Sequence, residues 1–595
     1  MKATTASVLL ALSAAVNAHP AVDTKYPYTG PKVPVGDWVN PTINGNGKGF
    51  PRLVEPPAVK PASSHPTNNV NVISLSYLPE GIHIHYQTPF GLGRAPSVKW
   101  GTSPHHLNRV AEGFSHTYGR TPSCSEVKAV TQCSEFFHEV SLPSLKSSTT
   151  YYYQIPAANG TTQSDVLSFK TAQKAGDPRE FTVAVLNDMG YTNAQGTHKY
   201  LAQAAEEGTA FAWHGGDISY ADDWYSGILP CESSWPVCYN GSSSELPGGV
   251  ITEAYETPLP KGEIPNQGGP NGGDMSVLYE SNWDLWQQWM GKITKKMPYM
   301  VLPGNHEAAC AEFDGPGNVL TAYLNDDISN GTVAKDGLTY YSCPPSQRNF
   351  TAFQHRFRMP GEETGGVGNF WYSFDYGLAH FVSMNGETDY ADSPECGPFG
   401  RVSNVSDTKS YEQYQWLKKD LESVDRAKTP WVVVMSHRPM YSSAYSSYQK
   451  HIRAAFEALM LDNGVDAYLS GHIHWYERLF PLGNSKIDTA SIINNNTYQT
   501  NAGKSMTHII NGMAGNIESH SEFSSGESLT NITAILNKSE YGFSKMTVVN
   551  STALKWEYVR GKDGSIGDYL WLVKPGNGKE AGKGGHGKKS HEVVF

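Results

Sequence analysis

The rhythm of hydrophobic and polar positions changes once along this chain. Between residues 70 and 174, short alternating runs occur at VNVISLSYL, GIHIHYQT, SVKWGT, FFHEVSL, TTYYYQIP and SDVLSFKT, with turn residues between them. Alternation with a period of two indicates β-strands, because successive side chains of a strand point to opposite faces. The segment is therefore predicted to form an all-β sandwich of about 100 residues.

From residue 178 onward, apolar strands alternate with helical segments. Strands are predicted at FTVAVLND, FAWHGGD, PYMVLPGNHE, LAHFVSMNGE, WVVVMSHRP and DAYLSGHIH. Helical periodicity is present in HKYLAQAAEEG, YESNWDLWQQWMGKITKK, YEQYQWLKKDLESV and YQKHIRAAFEALMLDNG. This alternation predicts α/β layering over residues 178–572, with 505–572 as its C-terminal portion, and such sheets bind ligands at the carboxyl ends of their strands.

Both ends of the chain have the composition of segments outside a folded core. Residues 1–18 combine the basic Lys2, an apolar stretch over 8–16 and a small-residue cleavage site, as secretory signal peptides do. Residues 19–69 are rich in Pro, Gly and Asn and predict an extended arm, and the Gly/Lys-rich tail 573–595 predicts disorder. Because no other stretch reaches the ~18 apolar residues of a membrane span, we expect a secreted, extracellular protein without a membrane partner.

Charge and cysteine content narrow the class of protein further. The net charge of −11 has no basic counter-patch, which disfavours nucleic acid as a partner but permits small phosphate esters beside a bound metal. Seven cysteines are too few for a scaffold built on disulfides, so a hydrophobic core must carry the fold. Two disulfides would close short loops, Cys124 with Cys133 and Cys231 with Cys238. Of the remaining Cys310, Cys343 and Cys396, one must stay unpaired, and we predict the pair Cys310–Cys343.

Acceptor sites for N-linked glycans agree with export. Nine Asn-x-Ser/Thr triplets in a chain with a signal peptide indicate a eukaryotic glycoprotein with these positions on its surface. The acceptor residues are Asn159, Asn240, Asn330, Asn349, Asn404, Asn495, Asn531, Asn537 and Asn550.

Five blocks of polar residues follow predicted strands and carry the candidate chemistry. Two metal ions about 3.5–4 Å apart can stabilise both the attacking and the leaving oxygen of an in-line displacement at phosphorus. Such a pair of ions requires carboxylate and imidazole ligands, one of which bridges the two ions. A phenol has a pKa of about 10, so a tyrosine ligand requires a strong Lewis acid such as Fe(III). The blocks are NDMGY (Asp188, Gly190), GDISY (Asp217, Tyr220), GNHE (Asn305, His306, Glu307), MSH (His437) and GHIH (His472, His474).

The order of these blocks resembles the metallophosphoesterase superfamily, and specifically the large two-domain purple acid phosphatases of plants and fungi, with the fungal type favoured. That superfamily usually has Asp-x-His in its first block, whereas this chain has Gly190 in place of the histidine and Tyr220 after the second aspartate. The similarity extends to RFRMP, FWYSFDYG, ETDY, THIINGMAGN and YGFSKMTVVN, and covers most of residues 70–572. It implies a four-layer αββα metallophosphoesterase domain preceded by a fibronectin type III-like β-sandwich.

The resemblance also implies a ligand set and a reaction. A secreted acid phosphatase would hydrolyse phosphate monoesters with a metal-bound hydroxide as nucleophile, and a phenolate–iron band would colour it purple. His306 would stay outside the ligand set, contact the phosphate and assist the leaving oxygen as an imidazolium. The Fe(III) ligands would be Asp188, Tyr220, His474 and bridging Asp217, and the divalent ion (Zn, Fe(II) or Mn) would be held by Asn305, His437, His472 and the same Asp217.

The substrate pocket departs from the pattern of the plant enzymes. They carry two adjacent histidines about nine residues after the equivalent of His437, and here the spacing leads to Ser446 and Ser447, with His451 as an alternative cation. We therefore expect a less cationic pocket that depends more on His306. A Pro/Gly/Ser-rich insertion over 225–275 either roofs this pocket or forms a surface loop, and the sequence leaves both open.

Other functions remain to be weighed against a monoesterase. A phosphodiesterase or nucleotide pyrophosphatase could use the same scaffold, although Tyr220 and Gly190 favour the monoesterase. A non-catalytic adhesion glycoprotein with a relic site is disfavoured, because the ligand set is intact. The expected substrates are small organic phosphate monoesters, with phytate as a candidate, and the sequence does not determine the oligomeric state. His83 and His85 resemble a metal-binding pair but are interpreted as two residues on one face of a supporting strand.

Overall fold

The fold was analysed in a computed structural model, which describes residues 72–88, 91–118, 134, 136–158, 161–191, 193–223, 276–310, 347, 350–394 and 407–575. The predicted signal peptide, the N-terminal arm, most of the C-terminal tail and the 225–275 insertion lie outside the described residues. So do the acceptor sites Asn159, Asn240, Asn330, Asn349 and Asn404 and every cysteine except Cys310. Cys310 is disulfide-bonded.

The N-terminal part of the described chain is a sandwich of two four-stranded antiparallel sheets. Its strands are β1 (Ile73–Leu78), β2 (Gly81–Thr88), β3 (Ser97–Gly101), β4 (Arg109–Glu112), β5 (Phe114–His116), β6 (Phe136–Leu142), β7 (Thr150–Gln154) and β8 (Leu167–Lys170). One sheet has the order β1-β2-β6-β5 and the other β4-β3-β7-β8. The six alternating runs of the sequence are all strands, whereas the largely exposed β4 and the three-residue β5 gave no such signal.

The two histidines of β2 have partners within the sandwich. His83 Nδ1 lies 2.7 Å from the Ser141 hydroxyl, and His85 Nδ1 lies 2.9 Å from the carboxylate of Glu139. Both residues are buried, so each hydrogen bond compensates a polar group that has left water. These contacts agree with their interpretation as parts of a supporting domain.

The rest of the chain forms two large mixed sheets and a short hairpin. The eight-stranded sheet has the order β11-β10-β9-β23-β24-β25-β20-β19, and the seven-stranded sheet has the order β12-β13-β14-β15-β21-β16-β22. The strands are β9 (Phe181–Leu186), β10 (Phe211–His214), β11 (Tyr299–Val301), β12 (Tyr372–Tyr376), β13 (Ala379–Ser383), β14 (Trp431–Met435), β15 (Ala467–Ser470), β16 (Tyr476–Leu479), β17 (Leu482–Gly483), β18 (Lys486–Ile487), β19 (Ile492–Asn494), β20 (Thr497–Gln499), β21 (Thr507–Asn511), β22 (Thr533–Asn537), β23 (Gly542–Asn550), β24 (Ala553–Arg560) and β25 (Ile566–Val573).

Helices cover the outer faces of these sheets. They are α1 (Gln195–Glu206), α2 (Ser276–Thr294), α3 (Thr351–Arg356), α4 (Glu412–Ser423) and α5 (Ser447–Asp462). The two sheets pack on each other through aromatic residues, with the rings of Phe211 and Phe381 5.1 Å apart and the indole of Trp213 donating to Ser383. The result is the expected αββα arrangement behind a β-sandwich. In the described ranges, no helix combines the length and apolarity needed to cross a membrane.

The β-sandwich rests directly on the α/β part of the molecule. The hydroxyl of Tyr153 donates to the carbonyl of Lys295, and Thr294 donates to the carbonyl of Ile73. Arg356 of the RFRMP segment is fully buried at this contact and forms an ion pair with Glu280 of α2 at 2.7 Å. A buried charge of this kind is tolerated only when it is paired. Because Arg356 also donates to Gln87 of β2, the RFRMP segment serves the packing of the two parts.

Candidate metal centre

The five polar blocks meet because the strands before them end at one edge of each sheet. β9, β10 and β11 run parallel in the eight-stranded sheet, and β14 and β15 run parallel in the other. Each block directly follows one of these strands. Parallel strands present their carboxyl ends on the same side, so the face-to-face packing of the two sheets brings all five blocks to one place.

The first group of ligands surrounds the phenol of Tyr220. Its oxygen lies 3.0 Å from His474 Nε2, 3.4 Å from Asp188 Oδ1 and 3.5 Å from Asp217 Oδ2. Donor atoms of Asp188, Asp217 and His474 all lie within 4.8 Å of one another. Four of the predicted ligands therefore form one compact cluster.

The second group shares Asp217 with the first. His437 Nε2 is 3.0 Å from Asp217 Oδ2 and 3.1 Å from Asn305 Oδ1. Donor atoms of Asp217, His437 and His472 also lie within 4.8 Å of one another. Asp217 is fully buried between the groups, the position that a carboxylate bridging two ions would occupy.

The electrostatics of the cluster fit a highly charged cation. Burial raises the pKa of Tyr220 well above its ordinary value, and the neighbouring carboxylates of Asp188 and Asp217 raise it further. Burial would lower the pKa of His437, but the charge of Asp217 overrides this and raises it to about 10. A phenol among buried carboxylates becomes an anion only beside a strong Lewis acid, so this donor set suits a trivalent ion together with a second, imidazole-bound ion.

Several of the predicted ligands have a strained backbone, and neighbouring glycines allow the blocks to approach each other closely. A Cβ on Gly304 would lie 2.2 Å from Asp217 Oδ1, and one on Gly471 would lie 2.2 Å from Asp188 Oδ2. A left-handed conformation costs a residue other than glycine about 1–2 kcal/mol. Four of the predicted ligands adopt it: Asp188 (φ 59°), Asp217 (φ 50°), Tyr220 (φ 52°) and His472 (φ 68°).

Glu307, the last residue of the GNHE block, ties two of the blocks together. Its Oε2 accepts from the backbone N–H groups of Asp217 at 2.8 Å and Gly304 at 2.7 Å, and its Oε1 accepts from Ile218 at 2.8 Å. Burial and the charge of Asp217 raise the pKa of Glu307 to about 8. Glu307 thus positions the loop that carries Asp217, a role that its place in the sequence did not reveal.

His306 lies beside the ligand groups and has two acidic neighbours that the sequence did not single out. Its Nδ1 lies 3.0 and 3.1 Å from the carboxylate oxygens of Asp222, and its ring packs on Tyr220 with centroids 4.1 Å apart. Its Nε2 is 3.8 Å from Asp217 Oδ2 and 3.7 Å from Glu518 Oε1. His306 and Asp222 also form a third cluster with Asp223. Asp222 follows Tyr220 by two residues, so an acidic residue close to the GDISY block was the available signal.

Among the described residues, Ser446, a predicted pocket residue like His306, is not joined to the ligand groups in this way. Ser446 is half-buried at the start of α5, and no hydrogen bond joins it to the ligand groups in the described part of the chain. Ser447 is the first residue of α5, and its side chain lies outside the description. His451 Nδ1 lies 3.0 Å from the carbonyl oxygen of Asp392, so this imidazole is engaged away from the ligands. Tyr448 instead packs on His472, with ring centroids 5.1 Å apart.

The fold and these two ligand groups define a metallophosphoesterase with a dinuclear metal centre. Residues 68–171 match the family described as Purple acid Phosphatase, N-terminal domain. Residues 270–476 match Calcineurin-like phosphoesterase, and 505–569 match Iron/zinc purple acid phosphatase-like protein C. The chain belongs to the purple acid phosphatase family.

Relatives from fungi and plants agree with this assignment. An acid phosphatase from Aspergillus ficuum is 71% identical and aligns over 97% of this chain and 98% of its own length. A phosphate-repressible acid phosphatase from Aspergillus niger is 36% identical over 78% of this chain and 83% of its own. A solved purple acid phosphatase from yellow lupin (Lupinus luteus) seeds shares the fold, with a TM-score of 0.59 at 22% identity, covering 84% of this chain and 74% of that one.

Proposed function

We propose that this protein is an acid phosphatase that hydrolyses phosphate monoesters at an Fe(III)–M(II) centre. The observation that carries the proposal is the pair of ligand groups that share Asp217, one of which contains the phenol of Tyr220. The Fe(III) ligands are Asp188, Tyr220, His474 and Asp217, and the ligands of the divalent ion (Zn, Fe(II) or Mn) are Asn305, His437, His472 and Asp217.

The residues around these ligands would divide the reaction between them. When bound, the metal pair supplies Lewis acidity and activates water for attack on phosphorus. His306 Nε2 faces the cluster while its Nδ1 is held by Asp222, so its imidazolium can donate a proton to the leaving oxygen. Glu307 holds the loop that carries Asp217 by accepting a hydrogen bond from the backbone N–H of Asp217.

We further propose that the protein is secreted and carries N-linked glycans. Among the acceptor sites that the structure describes, Asn495, Asn531 and Asn550 are exposed, whereas Asn537 is half-buried. Exposure at three of these positions supports glycosylation there. The domain organisation that we propose is a fibronectin-like sandwich over 70–174 and a catalytic domain over 178–572.

Purified protein allows a direct test. Metal analysis should find about two metal ions per chain, at least one of them iron, and the visible spectrum should show a phenolate–iron band. A chromogenic phosphate monoester should be hydrolysed fastest at acidic pH, and bis(4-nitrophenyl) phosphate much more slowly. Absence of bound iron and of the visible band would refute the proposed centre, and a preference for the diester would favour a phosphodiesterase. Release of phosphate from phytate would establish that the pocket admits this substrate.

A further inference from the structure

A buried arginine lies at the edge of the second ligand group. Arg438 directly follows His437, and its side chain is only 9% exposed. Its Nε and Nη2 both approach Glu387 Oε2, at 2.8 and 2.7 Å, and Glu387 is fully buried. The hydroxyl of Tyr468 donates to the backbone carbonyl of Arg438 at 2.8 Å. The guanidinium is therefore fixed through its ion pair with Glu387 and through its backbone.

The third nitrogen of this guanidinium points to a proposed ligand. Arg438 Nη1 lies 2.9 Å from His472 Nε2, and because a guanidinium can only donate, Nε2 is the acceptor. The ring of Tyr448 packs on both residues, with its centroid 4.9 Å from the guanidinium carbon and 5.1 Å from the imidazole centroid. Nη1 thus lies at the edge of the second ligand group, beside the ring of Tyr448.

Ion binding at His472 and this hydrogen bond exclude each other; this step rests on the proposed function. A neutral imidazole has one nitrogen with a lone pair and one that carries the proton. An ion bound at Nε2 uses the lone pair that now accepts from Arg438. An ion bound at Nδ1 leaves the proton on Nε2, which then cannot accept. In both cases Arg438 Nη1 no longer donates to His472 and can donate to a bound ligand instead.

We propose that Arg438 is the phosphate-binding cation of the pocket, with Nη1 donating to a non-bridging oxygen of the substrate's phosphate while Glu387 retains the other side of the guanidinium. Guanidinium geometry suits phosphate oxygens, and Arg438 stays charged at every relevant pH. It supplies the positive charge that the serines at 446 and 447 cannot. The pocket is therefore more cationic than the sequence spacing suggested.

The test measures binding of inorganic phosphate to the metal-loaded protein by titration calorimetry. Arg438→Gln should weaken binding by about 10- to 100-fold, the range for a hydrogen bond between charged partners. Arg438→Lys should give an intermediate loss, because it keeps the charge and loses the planar fork. In both variants KM for a monoester should rise more than kcat falls. Arg453→Gln serves as the control, since Arg453 donates to the carbonyl of Met440, and it should bind phosphate like the wild type.

Metal content and the visible band must be measured on the same samples. If Arg438→Gln keeps both metals and binds phosphate within about twofold of the wild type, the proposal is wrong. If the variant instead loses metal, Arg438 positions His472, and the proposal is again wrong. If Arg438→Gln does not fold, the same criteria are applied to the phosphate binding and metal content of Arg438→Lys. A wild-type protein without metal would refute the proposed function itself, which separates the two failures.

Discussion

The pair of His306 and Asp222 offers a sharp test of how the leaving group is protonated. Both carboxylate oxygens of Asp222 lie within 3.1 Å of His306 Nδ1, and both residues are buried. Burial raises the pKa of Asp222, whereas the neighbouring His306 lowers it, as expected for a carboxylate beside an imidazolium. Asp222→Asn keeps the size of the side chain and removes the charge that stabilises this imidazolium.

The size of the effect follows from the charge that is removed. A buried hydrogen bond between charged groups contributes about 1.5–3 kcal/mol, and because neither group is exposed, solvent screening does not reduce this much. Asp222→Asn should therefore disfavour the imidazolium by about 10- to 100-fold. With an alkyl phosphate, whose leaving oxygen needs a proton, kcat should fall by a similar factor. With 4-nitrophenyl phosphate, whose anion leaves without one, the loss should be much smaller.

The assay compares kcat for the two esters at acidic pH in four proteins. They are the wild type, Asp222→Asn, His306→Ala and the double variant, each with its metal content and visible spectrum measured. If Asp222 acts through His306, adding Asp222→Asn to His306→Ala should cause no further loss. Equal losses on both esters, additive effects in the double variant, or loss of the visible band would refute the reasoning.

Three other predictions concern the metal, the scaffold and pH. Tyr220→Phe should abolish the visible band and lower iron content while the divalent ion stays, as metal analysis can show; an unchanged band would exclude Tyr220 as the iron ligand. Glu307→Ala leaves three buried N–H groups without their acceptor and should lower the free energy of unfolding of the metal-free protein by about 3 kcal/mol or more in urea denaturation. Burial alone would lower the pKa of His380, but hydrogen bonds to Asp375 and Asp420 raise it to about 9. Its contribution of about 3 kcal/mol is therefore fully present below pH ~6.5 and is lost as pH rises through about 9, so His380→Gln should flatten the decline of stability over this window.

The ligand blocks could be predicted because each breaks an apolar pattern at a strand end. Asp188, Asp217 and His437 follow runs that are hydrophobic enough to be buried strands, and polar residues there are costly unless they are used. The parallel order of the strands then implies one shared edge. Family resemblance supplied the identity of the ions, which neither spacing nor composition contains.

The residues that support the ligands could not be predicted in the same way. Glu387 and Glu518 lie in loops after β13 and β21, and their approach to Arg438 and His306 depends on how these loops fold across the strand ends. Short-range patterns carry no signal for such contacts. The expectation of a weakly cationic pocket stays a prediction, and the spacing after His437 on which it rests does not consider Arg438, which directly follows that histidine.

Strain and charge explain why this centre requires two packed sheets. Left-handed backbone at four ligands and buried carboxylates at Asp188 and Asp217 each oppose folding. Local contacts such as the three N–H groups that donate to Glu307 restrain the loops, and the hydrophobic core that includes both sheets holds the five strand ends against these costs. Cations at the shared edge would remove the repulsion between the carboxylates and so bind the folded chain in preference to the unfolded one. The polar blocks are therefore conspicuous in the sequence because each places a polar or charged group at the end of a buried strand. Burying that group opposes folding, and the burial of the apolar strand before it compensates.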